Sequence, residues 1–143
     1  MKRSGFVGVV GRPNVGKSTF INRVVGQKVA IVTPKPQTTR TQITAIANTD
    51  NAQNVFVDTP GIHKPQHEMN RLMVETALAS LSKVDLILLM VDITQPFGKG
   101  DRHVLSLMKK VEVPLLLAIN KVDRVNKETI LPLLVEYRTS GEF

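Results

Sequence analysis

The chain has 143 residues, 42% of them hydrophobic, with a net charge of +7 and no cysteine. That length supports one domain with a real core and is short for two, and the missing thiols exclude a disulfide framework or a thiolate-held metal, which suits a reducing compartment. The charge is uneven: residues 1–64 carry nine Lys or Arg against two Asp, whereas residues 65–143 carry ten of each sign, so the first part of the chain presents a field that attracts phosphates or a polyanion such as RNA.

In chain order, the opening stretch "MKRSGFVGVVGRPNVGKS" holds an apolar run of only five residues. This is too short for a signal-peptide core or a membrane span, so a soluble, cytoplasmic protein is expected. The first strand is expected at 6–10, followed by a glycine-rich turn and a helix over 17–25. In that helix Phe20, Ile21, Val24 and Val25 recur at helical spacing and are expected to face a sheet, with Gly26 as its stop. Two prolines make 28–40, "KVAIVTPKPQTTR", a long loop. Strands follow at 41–47 and 53–57, and the short turn between them makes them antiparallel neighbours. After "DTPGIHKPQH" comes a helix over about 68–81, with Leu72, Val74, Ala77, Leu78 and Leu81 expected in the core. The runs 85–91 and 114–119 read as central parallel strands buried on both faces, with a helix at about 100–111 between them. A last helix over about 127–138 is expected to start from Asn126 as its cap. Strands alternating with helices define an α/β protein with a doubly wound, mostly parallel sheet.

Three segments carry chemistry. "GRPNVGKS" (11–18) fits G-x-x-x-x-G-K-[ST] between a strand and a helix, the setting a phosphate loop requires. Gly11 and Gly16 let the backbone of Asn14, Val15 and their neighbours fold around an anion, with N–H groups and the helix start aimed at phosphates. Lys17 supplies charge to the β- and γ-phosphates, Ser18 a hydroxyl to Mg²⁺, and Thr19 a bond to the α-phosphate. "DTPG" (58–61) ends a strand where open α/β sheets bind ligands; Asp58 holds Mg²⁺ through a water, the Gly61 N–H reaches a γ-phosphate oxygen, and Thr59 and Pro60 between them are counted among the nucleotide-binding residues. "NKVD" (120–123) also follows a strand. The Asp123 carboxylate accepts two bonds that guanine offers and adenine does not, Asn120 bonds the base edge, and the Lys121 stem lies over the ring, which favours GTP over ATP. In "KPQTTR", Thr38 or Thr39 offers the hydroxyl that completes Mg²⁺ coordination.

Other candidates are plainer. His63, His67 and His103 lack triad or metal-ligand spacing and read as surface residues. Met69, Met73, Met90 and Met108 read as packing, and Asp92 as a loop cap. One tyrosine and no tryptophan leave few platforms for base stacking, so an RNA contact from this domain would fall mainly on phosphates.

With these motifs in this order, "GRPNVGKST", "KPQTTRT", "VFVDTPGIHKP" and "NKVD" resemble the Era-type family of bacterial GTPases over about residues 5–138. The resemblance implies a P-loop GTPase fold and a GTP-hydrolysing switch that assists 16S rRNA processing and assembly of the small (30S) ribosomal subunit. It also implies rRNA binding through a KH domain and some presence at the inner membrane surface. In many small GTPases the residue after Gly61 is a glutamine that orients water. Here it is Ile62, as in the group where a hydrophobic residue replaces that glutamine. Members of the group with an asparagine in the phosphate loop use a bound K⁺ as a charge-stabilising element, and Asn14 stands at that place. Catalysis is then carried by Lys17, Asn14, Thr39 and Gly61, with Mg²⁺ on Ser18, Thr39 and Asp58. This family's domain continues with a further strand, a guanine-contacting loop and a helix, so residues 1–138 read as a C-terminally shortened GTPase domain and 139–143 as a non-helical tail, without the KH domain. Three alternatives remain: a GTP-binding module that does not hydrolyse, a P-loop ATPase, and an inactive fragment.

Overall fold

The computed structural model describes residues 3–26, 43–58 and 68–143. The loop 28–40 and the stretch 59–67, with Thr38, Thr39, Thr59, Pro60, Gly61, Ile62, His63 and His67, lie outside the described residues. Among the described residues five strands form one sheet in the order β2-β3-β1-β4-β5: β1 (Arg3–Val10), β2 (Ile43–Asn48), β3 (Ala52–Asp58), β4 (Leu86–Asp92) and β5 (Leu115–Asn120). The β2–β3 pair is antiparallel, as its short turn requires, and the other pairings are parallel. The helices are α1 (Lys17–Val25), α2 (Glu68–Leu81), α3 (Lys99–Met108) and α4 (Ile130–Ser140).

Two apolar clusters cover the two sheet faces. On one face Ile21 of α1 packs on Val9, Ala45, Ala47, Phe56 and Leu88, with the Phe20 ring edge-on to Phe56 at 6.0 Å. On the other, α2, α3 and α4 bring Ala77, Leu81, Val104, Leu105 and Leu133 onto Val10, Leu89 and Val91. Side chains such as Ile21, Leu81 and Leu89, at most 2% exposed, each contribute roughly 1.5–3 kcal/mol by leaving water. Met90 and Met108 are buried as expected.

Some expectations fail for physical reasons. Val24 and Leu72 point to solvent rather than the core, at 42% and 64% exposed, because periodicity marks several candidate positions and each helix buries a stripe narrower than all of them. β4 is buried on both faces, but β5 is not. It is an edge strand among the described residues, and Leu116 is 53% exposed. Asn126 caps a 3-10 turn, Lys127–Thr129, rather than a helix, and makes no side-chain cap bond; its carbonyl instead accepts the Thr129 hydroxyl at 2.6 Å. α4 begins at Ile130 and runs through Ser140, so Thr139 and Ser140 are helical. His103 is half-buried rather than on the surface, with Nε2 lacking a hydrogen-bond partner among the described residues.

The strand register sets up the site. Val9 lies opposite Asp58, Val10 opposite Leu89, and Asp92 opposite Asn120. The carboxyl ends of β1, β3, β4 and β5 therefore share one edge of the sheet, and "GRPNVGKS", Asp58, Asp92 and "NKVD" all emerge there.

Candidate nucleotide site

The turn from β1 into α1 is shaped by two close approaches. A Cβ at Gly11 would overlap the Met90 carbonyl and come within 2.8 Å of Val15 Cγ2. Gly16, the residue before α1, has φ 105°, and a Cβ there would stand 2.5 Å from Asn120 Nδ2. Left-handed backbone and crowding together leave glycine as the residue that fits. Asn14 also lies in the left-handed region, at φ 65°, which asparagine tolerates better than most residues.

Lys17 opens α1 and is 8% exposed. Its Nζ donates to the carbonyls of Gly11 and Arg12, each at 3.1 Å, so the ammonium folds back across the loop. A charge at that depth needs such acceptors. Val15 is buried, Gly16 and Ser18 are half-buried, and Asn14 and Thr19 are exposed at the loop's outer side.

"NKVD" is fastened to this loop across more than a hundred residues of sequence. Asn120 Nδ2 donates to the Val15 carbonyl at 2.8 Å, so its amide N–H serves the loop. The bond to Val15 uses one of the two amide N–H groups, so the second N–H and the carbonyl oxygen remain for the base edge expected of Asn120. Lys121 Nζ donates to the Asn14 carbonyl at 3.1 Å and to Asp92 Oδ2 at 2.6 Å. Lys121 adopts φ 61°, which costs a non-glycine residue about 1–2 kcal/mol; its two Nζ bonds oppose that strain. Asp123 lies exposed in the following 3-10 turn, Val122–Arg124.

Asp92 does more than cap a loop. Oδ1 accepts the Thr94 N–H at 2.9 Å and the Thr94 hydroxyl at 2.6 Å, as a cap would, while Oδ2 anchors Lys121. Burial pushes its pKa up, but the bonds from Lys121 and Thr94 outweigh this and hold it below the ordinary 3.8. An aspartate one strand over from the asparagine of "NKVD" was the available signal for this pairing, and only the register reveals it.

A second assembly escaped the sequence reading. Arg12 Nη1 pairs with Asp101 Oδ2 at 3.2 Å, and Tyr137 donates its hydroxyl to Asp101 Oδ1 at 2.7 Å. Burial, then the bond to Asp101, raise the Tyr137 pKa above its ordinary 10 and keep it protonated. Arg12, Pro13, Asn14, Asp92, Lys121 and Tyr137 help to line a cavity of about 320 Å³ on this side of the loop.

The arrangement is a glycine-shaped loop with a buried lysine inside it and the "NKVD" segment bound to its rim. Of the predicted site residues, Gly11, Asn14, Val15, Gly16, Lys17, Ser18, Thr19, Asn120, Lys121 and Asp123 are described along this edge, and the backbone of Asp58 ends β3 beside them. Backbone donors, Lys17 and the Ser18 hydroxyl suit a nucleotide carried with Mg²⁺. No helix of the described residues is long and apolar enough to cross a membrane.

Known proteins show the same design. The model of the family described as 50S ribosome-binding GTPase matches residues 6–121. GTPase Era of Staphylococcus epidermidis is 45% identical over 141 residues, which is 99% of this chain and 47% of that protein. A crystal structure of Era in complex with MgGDPNP and nucleotides 1506–1542 of 16S ribosomal RNA superposes with a TM-score of 0.87 at 39% identity, over 95% of this chain and 47% of that one. Aquifex aeolicus Era, solved as a point variant bound to GDP·AlF4⁻, gives 0.85 at 40% identity, over 95% and 46%. The chain thus spans about half the length of these relatives. A phosphate loop, an antiparallel strand pair beside a parallel sheet, "NKVD" at the end of β5 and a family match over most of the residues lead to one conclusion: the chain belongs to the 50S ribosome-binding GTPase family.

Proposed function

We propose that the chain is the guanine-nucleotide-binding and GTP-hydrolysing part of an Era-like switch that acts in 16S rRNA processing and 30S subunit assembly. The observation that carries the nucleotide reading is the pair of bonds from Asn120 to Val15 and from Lys121 to Asn14. They join a guanine-selecting segment to a phosphate loop, so base and phosphates are read by one connected unit. Lys17 leaves the Gly11 and Arg12 carbonyls for the β- and γ-phosphates. Asp123 accepts from the guanine N1–H and exocyclic amine, and Thr19 bonds the α-phosphate. Ser18, Thr39 and Asp58 hold Mg²⁺, which when bound neutralises charge on the transferring phosphoryl group. Thr59 and Pro60 belong with the nucleotide-binding residues, and the Gly61 N–H would reach a γ-phosphate oxygen. The exposed Asn14 would hold K⁺, whose charge would there supply electrostatic stabilisation of the kind an arginine finger gives. Ile62 then contributes backbone geometry alone. The rRNA and small-subunit role rests on the likeness to Era, one structure of which holds a 16S rRNA segment. The basic excess in residues 1–64 suits such a partner, and a peripheral contact with the inner membrane surface is assigned on the family resemblance.

Single-turnover hydrolysis of radiolabelled GTP, in K⁺ and in Na⁺, tests the reading. The expected unassisted rate is on the order of 10⁻⁴ to 10⁻² s⁻¹, faster in K⁺. Tight GTP binding with no phosphate released in either salt would make the chain a binding module instead.

A further inference from the structure

The contact between Arg12 and α3 has no part in the reaction proposed above. Asp101, in the first turn of α3, is 6% exposed, and a carboxylate that deep is tolerated only when its lone pairs are filled. Three donors fill them: Arg12 Nη1 at 3.2 Å, the Tyr137 hydroxyl at 2.7 Å and the Gly98 N–H at 2.9 Å. The start of α3 is shaped to admit the arginine, since a Cβ on Gly100 would stand 2.9 Å from Arg12 Nε and 3.2 Å from Cζ. Tyr137 is held in turn by the Phe97 ring, edge-on at 4.8 Å. On the loop side, the Arg12 carbonyl is one of the two that receive Lys17 Nζ. Among the described residues a cavity lies on this side of the loop, and beside the close approach of Gly11 to the Met90 carbonyl the Arg12–Asp101 tether helps to fix the height of the loop there.

We infer that Asp101 is a positioning residue: acting through Arg12 and steadied by Tyr137, it holds the first half of the phosphate loop in the shape that receives the β-phosphate. The inference rests on the guanine-nucleotide reading above. Its consequence is that α3 and α4, which hold none of the residues assigned to the nucleotide, set the phosphate part of the affinity and leave the base part alone.

Gly100→Ala and Tyr137→Phe test this in the 143-residue chain, by titrating GDP and GMP against a fluorescent GDP analogue and recording thermal melts. Alanine is the better helix residue, so Gly100→Ala regains part of the stability lost when its new methyl pushes the guanidinium off Asp101, and Arg12→Ala, which loses the same pair without that gain, is the melting reference beside it. A hydrogen bond to a charged group converts to about tenfold or more, and the 39% exposure of the Arg12 side chain puts the expected effect at the low end of that range. The expected result is about a tenfold loss for GDP with GMP held within about twofold, a smaller loss of the same kind in Tyr137→Phe, and no further loss when Gly100→Ala is added to Arg12→Ala. Parental GDP affinity in both variants would overturn the inference. So would equal losses for GDP and GMP that follow a lowered melting temperature, the mark of a merely structural role. A parent chain that binds GDP no tighter than GMP would be a failure of the phosphate-loop reading itself, visible before any variant is made.

Discussion

Replacing Asp92 with asparagine keeps the shape of the side chain and the acceptor that Thr94 uses, and removes the charge that holds Lys121. The side chains of the pair are 8% and 27% exposed, between the surface case, where an ion pair contributes about 0–1 kcal/mol, and the buried case, where breaking one costs about 3–5 kcal/mol. Discounting for solvent at the lysine end, we expect a loss of about 1–2 kcal/mol at neutral pH, enough to lower Tm by several degrees in a domain of this size. Lys121 is also released from a left-handed backbone that it does not favour, so the Asn14 carbonyl should lose its partner and guanine-nucleotide affinity should fall with stability. The folded-state pKa of Asp92 lies below 3.8, so its contribution is fully present above the unfolded value and disappears as pH falls through the folded one. Urea melts of parent and variant from pH 8 down to pH 3 should show a constant gap above about pH 5 that closes under acid. A gap independent of pH, or none at pH 7, would refute the pairing as the source of the effect.

Other perturbations separate the parts of the site. Gly16→Ala should cost about 1–3 kcal/mol through backbone strain, displace Asn120, and weaken GDP and guanosine alike, measured by competition; unchanged affinities would show that the loop tolerates a side chain there. Lys17→Ala should abolish productive Mg²⁺-GTP binding or turnover, whereas Ile62→Ala should leave chemistry largely intact in the same single-turnover assay; a hundredfold loss in the Ile62 variant at unchanged GTP affinity would give that side chain a role denied to it here. Equal hydrolysis rates in Na⁺ and K⁺ would remove the cation role assigned to Asn14.

The phosphate loop and "NKVD" were legible in the sequence because each packs its chemistry into a few consecutive residues bounded by apolar strands. Strand types, the antiparallel pair and the bounds of α1 followed from local pattern as well. What escaped reading depends on contacts between distant segments. Asp92 and Lys121 meet because β4 and β5 are in register, and Arg12, Asp101 and Tyr137 meet because the turn after β1 reaches helices from the far half of the chain. Local pattern also does not say which strand forms an edge: "PLLLAI" resembles a central strand, yet Leu116 faces solvent. The sole tyrosine, unremarkable in sequence, is 3% exposed and bonded to a buried carboxylate.

On the function proposed, guanine and phosphates bind to one connected unit, joined by the bonds from Asn120 and Lys121 to the phosphate loop. Titration of a fluorescent GDP analogue into the 143-residue chain with Mg²⁺ present, followed by displacement with GTP and with ATP, tests it directly. Saturable binding displaced by GTP but not by comparable ATP is the predicted result; equal displacement by the two nucleotides, or no binding at all, would contradict it.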